Sequence, residues 1–246
     1  MEKLLVLSAL AVMASGAFAK TVIKEDRHYV TPIEWGLASP LQLPCTVPYS
    51  AWRVCGIRLD AVLARSYDVY GLDAGVVGLT YDDFAGIQAA AFNWVGGDAY
   101  GIQLAGVGNV VQGEAVGIQA ALGANYNPGE MMGVQAGGLF NLNGALAGLQ
   151  LGTVNVTTGV GVGLQLGVWN QADSEFTGGS IGLVNYAENA VGVQIGFVNY
   201  AVQTGEGLQL GVFNAAGKYE GLQIGLFNLI NDGETPYILP LANARF

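Results

Sequence analysis

Twelve glycines punctuate this chain at intervals of 14 to 16 residues: Gly56, Gly71, Gly86, Gly101, Gly117, Gly133, Gly148, Gly163, Gly178, Gly192, Gly207 and Gly221. Each opens a version of Gly-apolar-Gln-apolar-Gly-apolar-apolar-Asn, clearest in GLQLGVWN (163–170), GVQIGFVN (192–199), GLQLGVFN (207–214) and GLQIGLFN (221–228). Gln holds the third position in nine of the twelve copies and Asn closes ten. In the copies from Gly101, Gly117 and Gly133 the Asn comes one place late, as a one-residue bulge would require. Repetition at a fixed short period marks a repeat architecture, so the whole array must be explained by one local structure. That structure is a strand. Leu208, Leu210 and Val212 alternate with Gly207, Gln209, Gly211 and Phe213, which is period two. Two glycines per copy would each cost a helix about 1 kcal/mol relative to Ala.

Gly96-Gly97-Asp98, Asn143-Gly144, Thr158-Gly159, Gly217-Lys218 and Asp232-Gly233 follow the Asn and supply turns. One turn per period implies one strand per repeat. The first expectation is therefore an all-β fold of about twelve 15-residue repeats, an antiparallel meander closed into an outer-membrane-type β-barrel. Strands of roughly ten residues suit a tilted bilayer crossing, with aliphatic residues toward lipid and Gln toward the lumen. The alternative is a parallel β-solenoid, one coil per repeat, in which Gln stacks on Gln and Asn on Asn. It is favoured by turn lengths that do not alternate, and by the closing Asn, which a barrel would set against lipid.

The ends frame the array. Met1-Glu2-Lys3, an apolar core over Leu4 to Ser15 and Ala17-Phe18-Ala19 read as a signal peptide over 1–19, so the chain is expected to be exported to the outer membrane or cell surface. An irregular segment over 20–55 follows, then the repeat domain over 56–235 and a closing segment over 236–246. Cys45 and Cys55 lie in a Pro-containing stretch and would form a disulfide in an oxidising compartment. Only 11% of residues are charged, mean hydropathy is +0.41, and no run of about 18 apolar residues is free of Gly and polar breaks. So apolar a surface favours contact with outer-membrane lipid or a partner over a free existence in water. A net charge of −10 with nine basic residues excludes a nucleic-acid footprint. The terminal Phe246 is the kind of residue that outer-membrane barrels present to their assembly machinery.

The repeats and their flanks resemble an uncharacterised family of bacterial surface-repeat proteins. Pro40-Leu41-Gln42-Leu43 matches its Pro-x-Gln-Leu opening, GIRLDAVLARSYDVYGLD (56–73) its less regular first copy, and YILPLANARF (237–246) its Pro-rich end in Phe. The resemblance implies export and a surface or outer-membrane place, and carries no activity, cofactor or binding residues. The Cys45/Cys55 pair and Gly179-Ser180, which replaces apolar-Gln, depart from its pattern.

Chemistry is scarce. Arg58 and Asp73 occupy the Gln position of the first two copies, and Asp60 follows on the same face. They form either a charge cluster in a lumen or a self-compensating ion-pair cluster at the end of the array. The lone histidine, His28, has no Cys or carboxylate at ligand spacing. No nucleophile elbow, phosphate loop or HExxH occurs, so no enzyme and no cofactor are expected. The function expected is a structural or narrow-pore element of the outer membrane, or alternatively a secreted or surface-tethered solenoid for binding or adhesion; the ligand is unknown.

Overall fold

The computed structural model describes residues 29–38, 41–44, 52–232 and 237–245. The expected signal peptide over 1–19, His28, Cys45 and Phe246 lie outside them. The chain divides into two compact units, 1–117 and 118–246.

The first unit holds β1 (Tyr29–Ala38), β2 (Leu41–Leu43), β3 (Trp52–Ser66), β4 (Asp68–Thr80), β5 (Phe84–Val95), β6 (Ala99–Val111) and the start of β7 (Ala115–Ala121). β1, β3, β4, β5 and β6 pair successively in parallel, and β2 folds back antiparallel on β1. The second unit continues with β8 (Ala124–Thr157), β9 (Gly161–Leu166), β10 (Trp169–Ile181), β11 (Val184–Ile195), β12 (Val198–Leu210), β13 (Phe213–Ile230) and β14 (Tyr237–Arg245). β8 to β13 are parallel, and β14 alone closes the unit antiparallel against β13.

Each unit is thus a parallel β-solenoid, and the antiparallel barrel is not what forms. The register gives the reason. Gly86 lies beside Gly101, Gln88 beside Gln103 and Asn93 beside Asn109; in the second unit Gly192, Gln194 and Asn199 lie beside Gly207, Gln209 and Asn214. Only parallel neighbours in step bring identical residues together, and buried amides gain their hydrogen bonds from that identity. The late Asn of the copy from Gly101 is accommodated by a register shift between Ala90 and Phe92, as a bulge should do.

The opening glycines have a backbone reason. All twelve adopt positive φ, from 110° at Gly207 to 155° at Gly56. A Cβ at Gly207 would also collide with the carbonyl oxygen of Gly192 in the turn beneath. Glycine is the residue that satisfies both demands.

The expected alternation holds through position four and then breaks. Gln209 is buried and Leu208 more open, but the chain bends at Gly211-Val212. Phe213 then faces outward and Asn214 inward, the reverse of the barrel reading. The bend brings Asn into the interior, where Asn170 Nδ2 donates to Ile181 O and to Asn185 Oδ1, both at 2.9 Å. Position five is small for the same reason: a Cβ at Gly167 would come within 2.6 Å of Asn155 Nδ2.

Candidate functional site

Two columns of amides run through the interior. Asn185, Asn199 and Asn214 each donate forward to the Asn of the next turn at 2.8 Å. The glutamines donate backward: Gln150 to Gln135 at 3.2 Å and Gln165 to Gln150 at 2.8 Å. At the far end of the second unit, Asn243 of β14 caps the glutamines by donating to Gln223 Oε1 at 3.3 Å, and Leu239 O accepts from Asn228 Nδ2 at 3.0 Å.

In the first unit the glutamine column becomes ionic. The register stacks Glu34 on Arg58 and Arg58 on Asp73. Arg58, with no exposed surface, grips Asp73 through Nε to Oδ1 at 2.8 Å and Nη2 to Oδ2 at 2.6 Å. Its Nη1 donates to Leu79 O at 3.1 Å, and Gln88 Nε2 donates to Asp73 Oδ2 at 2.7 Å, joining the ion pair to the amides. Ser66 Oγ donates to both Glu34 oxygens, at 3.3 and 3.2 Å. Asp60 is buried between Gly36 and Gly75 of the adjacent turns, and neither of its oxygens finds a hydrogen bond among the described residues.

Three buried carboxyls surround one guanidinium, and for Glu34 and Asp60 burial shows in their titration. Burial pushes Glu34 up to about 7 against the pull of Arg58, with Asp60 adding to the rise. Burial also raises Asp60, again opposed by Arg58. For Arg58 burial acts downward, but Asp73, Glu34 and Asp60 together outweigh it and the guanidinium is held more firmly charged. Among the described residues no three His, Cys, Asp or Glu side chains are placed to hold a metal ion. Sequence reasoning singled out Arg58, Asp60 and Asp73, which the structure buries in two adjacent turns with Arg58 paired to Asp73. It missed Glu34, which lies in a segment without the repeat. Cys55 is half-buried in β3, and its expected partner lies outside the described residues.

A second acidic column lines a corner. Asp68 Oδ1 accepts from Asp83 N at 3.0 Å, Asp83 Oδ1 from Asp98 N at 2.9 Å and Asp98 Oδ1 from Glu114 N at 2.8 Å. Arg53 pairs with Asp68 at 2.5 Å. Burial lifts Asp68 to about 6, with the Asp83 backbone N–H and Arg53 pulling it down. These carboxylates are occupied in holding the chain.

The outer surface of the second unit is different in kind. The octapeptides opened by Gly163, Gly178, Gly192, Gly207 and Gly221 contain no charged residue. Around their bend, Leu183 is 60% exposed, Phe197 53% and Phe227 49%. Phe197 meets Phe213 edge-on at 5.7 Å, and Phe213 stacks on Phe227 at 5.1 Å. Charges of this unit such as Asp173, Glu188 and Lys218 fall in the remaining part of each repeat. Comparison with protein-family models, curated proteins and solved structures gave no match.

Proposed function

We propose that this chain is an exported solenoid held at the cell surface, where the uncharged flank of its second unit rests on lipid. The observation that carries this reading is the flank itself. Between Val168 and Phe227, eleven large hydrophobic side chains of these octapeptides are 37–60% exposed. At roughly 60–100 Å² each they make a patch on the order of 700–1,000 Å², larger than monomeric proteins in water leave open. A lipid interface accepts such a surface, aromatic residues especially. With a net charge of −10 the attraction is apolar, so it does not depend on anionic lipid.

Flotation with vesicles of zwitterionic phosphatidylcholine tests it. The mature protein should rise with the vesicles equally well in low and high salt. The Phe213→Ser/Phe227→Ser variant should partition at least about tenfold more weakly, since each exposed ring contributes on the order of 1 kcal/mol. A wild-type protein that stays at the bottom of the gradient overturns the lipid reading. If that protein also sediments as a dimer that the same variant dissociates, the flank belongs to a second copy.

A further inference from the structure

The glutamine column of the second unit is interrupted once. Gln165 and Gln194 lie two turns apart, and the rung between them is Ser180, two bonds too short to reach either amide. Ser180 makes no side-chain hydrogen bond among the described residues, and Gln194 uses only Oε1, accepting from Gln209 Nε2 at 2.6 Å. Both face the interior, yet each keeps 5% of its surface open. They open onto a cavity lined by Phe176, Ser180, Ala190, Gln194, Gln209 and Tyr219, with a volume of about 10 Å³ for the centre of a water-sized sphere.

The neighbouring rings explain why the space is not filled. Phe176 leans back over Gly161, where a Cβ would strike its ring. Tyr219 leans back over Gly205 and is anchored there, its hydroxyl donating toward Gly207 O at 3.0 Å and Leu222 O at 3.2 Å. Between them the turns contribute only Ala190 and Gly205. One wall is apolar and the other carries a hydroxyl and an amide.

We infer that this cavity is a binding site for one structural water, which accepts from Gln194 Nε2 and donates to Ser180 Oγ in place of the missing rung. The volume matches a single molecule, which needs roughly 10–15 Å³ by this measure and two or more polar partners. The water belongs to the fold and is independent of what the outer flank binds.

Nuclear magnetic resonance of the full chain supplies the test. The side-chain amide protons of Gln194 should show a cross-relaxation peak to a long-lived water. Ser180→Gln restores the rung, so it should abolish that peak and raise the thermal midpoint by a few degrees. Ala190→Val fills the cavity from its apolar wall and should abolish the same peak, which keeps the test open if Ser180→Gln does not fold. Absence of the peak in the wild-type protein overturns the inference, as does its survival in either folded variant.

Discussion

At the scale of single residues, glycines in this chain are not interchangeable. Gly192 combines φ of 122° with a Cβ position already taken by the Gly178 carbonyl. Gly179, one place after an opening glycine, would set its Cβ only against the flexible end of Leu164, at 2.7 Å. Gly192→Ala should therefore cost about 2 kcal/mol or more in urea unfolding, and Gly179→Ala should be close to neutral. The asparagines differ by place as well. Asn185 accepts from Asn170 and donates to Asn199 and to Ile195 O, whereas no described residue donates to Asn93 Oδ1, because Gly78 occupies the preceding turn. Asn185→Ala leaves partners unsatisfied on both sides and should destabilise by roughly 2–4 kcal/mol; Asn93→Ala should cost visibly less.

At the scale of elements, the two amide columns point in opposite senses, glutamines backward and asparagines forward. Hydrogen bonds in line polarise one another, so each column strengthens along its length while their dipoles oppose. The strand, its period and its inward Gln were all legible in the repeat, because alternation reports directly on which side chains share a face. Strand direction was harder. Period two is the same for parallel and antiparallel neighbours, and the apolar exterior fits a lipid-facing barrel as well as a coil. The identity of residues three and eight in nearly every copy was the discriminating signal, since like-on-like stacking is possible only in parallel register. Glu34 had no such signal: it reaches the glutamine column from a segment that carries no copy of the motif. The bend at positions five and six was hidden too, because its cause is the space the inward Asn occupies.

At the scale of the whole molecule, the first unit stores unfavourable charge that acid relieves. Glu34 and Asp68 are raised to about 7 and about 6, and Asp60 and Asp83 are also raised, all chiefly by burial. A carboxyl harder to ionise in the folded state contributes stability that is complete below its unfolded pKa and is lost as pH climbs through the folded value. For Glu34 that window runs from 4.5 to about 7, and the loss is on the order of 3 kcal/mol. The thermal midpoint should therefore fall as pH rises from about 4.5 to 7. Glu34→Gln keeps an acceptor for Ser66 and should flatten that slope while raising the midpoint at pH 7.5. A wild-type midpoint that climbs across this range would contradict the arrangement. Within the second unit, the shared register has another consequence. Apart from the Ser180 rung, each storey offers above what it receives from below, so the columns do not fix how many storeys there are. Excising one full period, 192–206, would join Val191 to Gly207 with both columns still in step, so length in such an array is free to change by whole floors while its end strands stay the same.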